Sequence, residues 1–213
     1  MPRTKRAPLV ISVVAALLLA VSAASAHAAT TYTPGPGSVR LIGAGITFTN
    51  IPMDQKISCT QFDLAGPVIA PGSSRGYGAD LASLTTLTSS GCSNPLLGVV
   101  TATPLGPWGL AISGDPVAGT WPAKFTHVTI AMTWGGCAFR VEGAVSGRFS
   151  TVTQRFTPDA GASGLSISST WPGAPTGALC VSLDILPGDE FAVGGYWTNV
   201  PPAGSGPLTI SNP

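Results

Sequence analysis

The segment VTIAMTWGGCAFRVEG, residues 128–143, constrains the fold of this chain more than any other stretch. Large apolar residues alternate with small or polar ones on both sides of Gly135-Gly136, and a period of two is typical of a strand with one buried face. A two-residue turn at the glycines needs positive φ angles, which glycine adopts without steric cost. That turn would place Trp134 opposite Cys137 and all the large apolar residues on one face. The segment therefore predicts a β-hairpin with this register.

Short stretches with similar patterns recur along the chain, separated by turn residues, and the chain contains 27 glycines and 20 prolines. Residues 179–185 and 191–197 alternate in this way, which predicts a second hairpin closed by Pro187, Gly188 and Asp189. No amphipathic helix of useful length is visible in the sequence. These patterns predict an all-β chain with a single antiparallel β-sandwich or barrel-like domain of about ten strands.

The N-terminal residues have the pattern of a secretory signal. Arg3, Lys5 and Arg6 precede an uncharged apolar run over residues 7–26, and Ala26-His27-Ala28 supplies small residues for cleavage. This pattern predicts a cleaved signal peptide over residues 1–28 and a single all-β domain over residues 29–213 that begins with a short flexible segment. The expected localisation is secreted, extracellular or cell-envelope-associated. A retained N-terminal membrane anchor is the alternative.

The charge of the mature chain argues against nucleic acid as a partner. Removal of the three basic residues of the signal leaves seven Lys and Arg against nine Asp and Glu, a net charge of −2. The basic residues are scattered singly, whereas binding to a phosphate backbone needs a basic patch.

Apolar runs after residue 29 are too short for a membrane-spanning helix. A lipid-facing barrel, whose signal per strand is weak, stays open as an alternative.

The four cysteines, Cys59, Cys92, Cys137 and Cys180, all follow the predicted signal. An even number of cysteines in an exported chain predicts two disulfides, for which three pairings exist. We favour Cys59–Cys92 and Cys137–Cys180, because neighbours in sequence are usually neighbours in a sheet. The chain has no C-x-x-C pair, so we expect no metal site of the finger type. No cofactor is expected either.

One motif suggests hydrolysis. Residues 72–76 match the G-x-S-x-G pattern around Ser74, and Asp115 and His127 follow in the chain order of an α/β-hydrolase triad. The motif lies in a loop rich in Pro and Gly, without the strand before it and the helix after it that such a nucleophile needs. We therefore predict no catalytic residue and no enzymatic activity, with a small secreted hydrolase as a remaining alternative.

Aromatic residues in loop-like stretches are the candidate binding residues. Trp121 and Trp171 each precede a proline, and Tyr77 lies between glycines. Exposed aromatic side chains of this kind can stack on sugar rings or contact a protein partner. The alternative is that they cap the open end of the fold, as buried tryptophans do. Trp134 and Trp197 lie on apolar strand faces and are predicted to be in the core.

Five short motifs occur in a recognisable order in the mature chain. They are SCT (58–60), SSGCSNPL (89–96), WGL (108–110), GGCAFRVEG (135–143) and GDEFAVGGYW (188–197). This order resembles a group of small secreted Ser/Thr/Gly-rich four-cysteine β-proteins from actinobacteria. The resemblance covers most of the mature chain, and the group has no assigned activity, so no catalytic residue is implied. This chain differs from the group in its higher content of Trp and Pro.

The sequence as a whole predicts an exported, non-catalytic β-domain that is associated with the cell envelope or binds through its loops. The expected partner is a cell-wall glycan or an envelope protein. A lipid-facing barrel, or a barrel that carries an apolar ligand, is the alternative function.

Overall fold

Antiparallel strands make up most of residues 31–212, the part of the chain that the structure, a computed structural model, describes. The all-β prediction is confirmed. Several of the fifteen strands are only two to four residues long, which is why the sequence suggested about ten. The elements are β1 (Thr31–Pro34), β2 (Ser38–Asn50), β3 (Gln55–Pro67), β4 (Arg75–Gly76), β5 (Asp80–Leu84), β6 (Thr86–Asn94), β7 (Gly98–Val99), β8 (Thr101–Pro104), β9 (Trp108–Ile112), β10 (Thr120–Trp134), β11 (Cys137–Ser150), β12 (Arg155–Pro158), β13 (Ala162–Ile167), α1 (Ala178–Ser182), β14 (Glu190–Asn199) and β15 (Ile210–Ser211).

The strands form one large rolled sheet and one small sheet. The large sheet has 12 strands in the order β5-β9-β10-β11-β12-β14-β2-β3-β6-β7, with β8 also paired to β10, and β13 paired to both β11 and β14. Strands near the two ends of this sheet contact each other, so that the sheet is rolled. A β-bridge pairs Ala82 of β5 with Val68, which follows β3. The Ser89 hydroxyl of β6 donates a hydrogen bond to the Ala102 carbonyl of β8. The small sheet has the order β15-β1-β4. The inner face of the large sheet therefore surrounds a single core.

The centre of the core is aromatic. Trp197 of β14 is only 1 % exposed, and its ring is 5.2 Å from the ring of Phe125 at an interplanar angle of 85°. Its indole Nε1 donates a hydrogen bond of 2.8 Å to the Phe62 carbonyl. Phe156 also packs on this ring. The predicted burial of Trp197 and Trp134 is confirmed.

The predicted central hairpin is present with the predicted register. Trp134 pairs with Cys137, and Met132 pairs with Phe139, across a turn in which Gly135 and Gly136 have φ angles of 50° and 88°. Both glycines thus adopt the left-handed conformation that the two-residue turn requires.

Both predicted disulfide pairings are confirmed. Cys59 of β3 is bonded to Cys92 of the neighbouring strand β6, and Cys137 of β11 is bonded to Cys180 of α1. The first disulfide joins two residues that are already paired in the sheet. The second attaches a segment outside the sheet to the end of the central hairpin.

The predicted second hairpin is wrong. Residues 178–182 form the short helix α1, and Phe191 pairs with Asn50 of β2 and Leu165 of β13. The alternation of Leu179, Val181 and Leu183 suggested a strand, but over so few residues it fits a helical turn equally well. In that turn Leu179 and Leu183 are partly buried against the core, while Val181 is exposed.

The predicted signal peptide, residues 1–28, lies outside the described residues. From Thr31 onward the chain belongs to the fold, because Tyr32 of β1 is fully buried. The expected flexible segment therefore does not extend past residue 30. Within residues 31–212, no helix has the length and apolar character needed to cross a membrane.

Candidate functional site

Trp171 is the exposed tryptophan of this protein. It has 84 % of its surface exposed, whereas the other four tryptophans are buried. It lies in a turn that is fixed by backbone hydrogen bonds, because Gly173 N and Ala174 N donate to the Thr170 carbonyl at 2.7 and 2.9 Å. The turn is held on β11 at Arg140, whose N–H donates to Gly173 and whose carbonyl accepts from Ser168. The exposed indole is thus carried by a well-anchored segment.

A groove of about 360 Å³ lies on the surface beside this turn. Thr170, the residue before Trp171, forms part of the wall of the groove. Most of the side chains that line the groove carry hydroxyl or carboxylate oxygens. Among the residues that the structure describes, no basic side chain forms an ion pair with the Glu142 carboxylate. The groove is lined by Glu142, Ser166, Ile167, Ser168, Ser169, Thr170, Pro187 and Gly188.

The groove and Trp171 together have the chemistry of a carbohydrate site. The flat face of an indole can pack against the apolar face of a sugar ring. Hydroxyl groups both donate and accept hydrogen bonds, and an ionised carboxylate accepts them, so these groups match the hydroxyls of a sugar. A volume of about 360 Å³ lies at the lower end of the range for small-molecule sites, roughly 300–1,000 Å³.

Trp121 does not belong to this site. It lies in β10, is 5 % exposed and pairs with Phe149 of β11. The prediction that it lies in an exposed loop is wrong, because Pro122 does not end a strand here. Proline is tolerated near the beginning of a strand, and β10 begins at Thr120.

Tyr77 also lies outside the groove, and it contacts residues near both ends of the described chain. Its ring stacks on Tyr32 with 6.1 Å between the ring centroids. Its hydroxyl donates to Asp115 Oδ1 at 2.6 Å and is 3.1 Å from Asn212 Oδ1. Desolvation, together with the hydrogen bond to the Asp115 carboxylate, raises the pKa of Tyr77 from 10.0 to about 12. These contacts give Tyr77 a structural role.

The raised pKa of Tyr77 predicts a loss of stability in strong base. The folded protein holds the phenolic proton of Tyr77 more tightly than the unfolded chain does. The resulting contribution to the free energy of unfolding is complete below pH 10 and is lost as the pH rises to about 12. We expect the midpoint of urea unfolding to fall across this pH window, and to fall less in Tyr77→Phe. Identical pH profiles for the two proteins would contradict the assignment. The stability of the variant should still depend on pH, but less strongly, because burial also raises the pKa of Tyr32.

The residues of the hydrolase motif have no hydrogen bond to one another in the described part of the chain. Ser74 lies in an exposed loop, and Asp115 accepts the hydrogen bond of Tyr77. His127 lies at a bulge in β10, and its Nδ1 is 3.6 Å from Asp80 Oδ2. Residues 31–212 also contain no group of three His, Cys, Asp or Glu side chains arranged to hold a metal ion.

Trp171 was predictable from the sequence as a binding residue, whereas the groove beside it was not. The groove combines Glu142 of β11, the Ser/Thr segment 166–170 and the turn at Pro187-Gly188, which are separated in sequence. The only sign of the groove in the sequence is the position of Glu142 in the alternating pattern of the central hairpin, which places its side chain on the outer face. No family model, no curated protein and no solved structure matches the chain.

Proposed function

We propose that this protein is an exported, non-catalytic domain that binds a carbohydrate of the cell envelope in the groove beside Trp171. The observation that carries the proposal is an 84 % exposed indole on a hydrogen-bonded turn, whose preceding residue, Thr170, lines a groove with several hydroxyl-bearing side chains. Loops on a rigid strand scaffold commonly carry recognition. A large aromatic side chain buries much apolar area on binding at a small cost in conformational entropy.

Two further features support this proposal. Both disulfides, and the absence of free cysteines among residues 31–212, favour an oxidising compartment outside the cytosol. The narrow cavity between Trp134, Phe139 and Phe191 holds only about 10 Å³, close to the volume needed for one water molecule. A cavity of this size does not favour the alternative of a carrier for an apolar ligand.

The first test is the retention of Trp171→Ala on purified cell-wall glycan. Removal of an aromatic anchor at a binding hot spot costs about 2 kcal/mol or more, so we expect affinity to fall by roughly thirtyfold or more. The melting temperature should stay unchanged, because the side chain is exposed. Val152→Ala is the matched control, since Val152 is 85 % exposed and lies in the turn that follows the far end of β11.

Glu142→Gln provides a second test of the same groove. The amide keeps the size of the side chain but removes the charge that strengthens its hydrogen bonds to sugar hydroxyls. We expect weaker retention than wild type together with an unchanged fold. If wild type does not bind the glycan, or if both groove variants bind as well as the Val152 control, the proposed function is wrong.

A further inference from the structure

One end of the rolled sheet, which we call the end face, is formed by residues 50–56 at the turn between β2 and β3, residues 95–99 at the turn before β7 and in β7 itself, the tip of the central hairpin, α1 and residues 183–190. Several contacts bring these segments together. Ile51 N donates to the Glu190 carbonyl at 2.8 Å, and the Asn50 amide donates to Asp189 at 3.2 Å. Leu179 of α1 lies against Gly135, since a Cβ placed on that glycine would be 2.7 Å from Leu179 Cδ2.

The end face collects most of the exposed apolar side chains. Nine large hydrophobic residues are exposed in residues 31–212, and five of them belong to this end. Val181 of α1, for example, is 82 % exposed. Single exposed apolar residues are ordinary, but a group of them on one surface marks an interaction site. The five are Ile51, Leu96, Val99, Val181 and Leu186.

The same end carries the net negative charge of the mature chain. Four of the nine acidic residues lie there, with one basic residue, Lys56, so the end has a formal charge of −3. The rest of the mature chain has five acidic and six basic residues, a formal charge of +1. The acidic residues of the end face are Asp54, Asp184, Asp189 and Glu190.

We propose that the end face binds a cationic, amphipathic polypeptide segment, in which Lys or Arg residues flank apolar anchors. The apolar residues supply the area to be buried, and the acidic residues select the charge of the partner. A second copy of this chain would bring two surfaces of charge −3 together, and an anionic lipid surface would also be repelled. This surface adjoins the groove beside Trp171, because Pro187 and Gly188 belong to both, but none of its five exposed apolar residues lines the groove.

The experiment uses calorimetric titration of the secreted protein with a synthetic amphipathic helical peptide of Lys and Leu. A matched peptide with Glu in place of each Lys is the charge control. We expect the Lys peptide to bind and the Glu peptide not to bind. Val181→Ser should weaken binding by about tenfold, because burial of a valine side chain contributes about 1.5 kcal/mol or more. Val152→Ser at the opposite end should have no effect.

Two carboxylates of the end face can be made neutral with little change in the size of their side chains. Asp54→Asn combined with Asp184→Asn should weaken binding at low salt, and should make binding less dependent on salt than in wild type. Trp171→Ala should bind the peptide normally, which separates this surface from the glycan groove. Equal binding of the two peptides, or equal losses in Val181→Ser and Val152→Ser, would overturn the proposal. A dimer in sedimentation that Val181→Ser dissociates would also overturn it, since a second copy would then occupy the end face.

Discussion

Replacement of Trp197 by alanine is expected to lower the free energy of unfolding by about 3–5 kcal/mol, the cost of other large-to-small changes in well-packed cores. The indole is packed against Phe62, Phe125 and Phe156, so its removal leaves a cavity between rigid rings. It also removes the N–H that satisfies the Phe62 carbonyl. An unpartnered buried acceptor adds about 1–3 kcal/mol to the cost. Denaturant unfolding, followed by intrinsic fluorescence or circular dichroism, measures the change.

Two variants control this experiment. Trp197→Phe keeps an aromatic ring in the core and loses the hydrogen bond, so it should cost clearly less than the alanine variant. Glu142→Ala lies on the outer face of the sheet and should cost under about 0.5 kcal/mol, as for most surface changes. A cost for Trp197→Ala as small as that of Glu142→Ala would mean that β14 does not face the core as described.

Removal of the disulfide between Cys137 and Cys180 is the second change with a large expected effect. The bond closes a segment with a sequence separation of 43. The loop-entropy model gives a stabilisation of about 4 kcal/mol for a loop of this length. The double variant Cys137→Ala and Cys180→Ala should therefore be less stable by about that amount. The comparison of its denaturant midpoint with wild type, both in the oxidised state, tests this.

The other disulfide is a matched control, since Cys59→Ala with Cys92→Ala opens a loop of similar length. The two variants should differ in how readily a protease cuts the chain near α1. Cys59 and Cys92 are paired in the sheet without the bond, whereas α1 lies outside the sheet and depends on its bond to Cys137. We expect limited proteolysis to cut near residues 176–186 only in the Cys137/Cys180 variant. The same cleavage pattern in both variants would contradict this view of α1.

The sequence predicted features that are determined by short-range geometry. The central hairpin was predictable because a turn at Gly135-Gly136 has one register that keeps Trp134 and Cys137 on the same face. The disulfides followed from the number of cysteines and from the tendency of sequence neighbours to pair. The burial of Trp197 was predictable because it occupies an apolar position in the alternating pattern of residues 191–197.

The errors arose where a local pattern fits two structures. An alternation over residues 179–185 is compatible with a strand or with a helical turn, and the tertiary contacts of Leu179 and Leu183 decide between them. The proline after Trp121 predicts a loop, but that proline lies in the first residues of a long strand.

The groove could not be predicted because it depends on which strands are neighbours. Glu142 faces the segment 166–170 only because β13 pairs with β11. This pairing leaves no mark in the periodicity of either strand. The same reason applies to the end face, whose members come from turns that are distant in sequence.

The position of β2 in the rolled sheet determines when the fold can form during synthesis. β2 lies between β3 and β14, and the hydrogen bond from Arg40 N to the Asn199 side chain spans 159 positions of the chain. Such non-local pairing gives a high contact order, which is typical of domains that fold in milliseconds to seconds. A nascent chain that ends before residue 190 has no β14 to pair with β2. The large sheet therefore closes only after residues 190–199 have left the ribosome, and until then β2 lacks one of its two neighbouring strands.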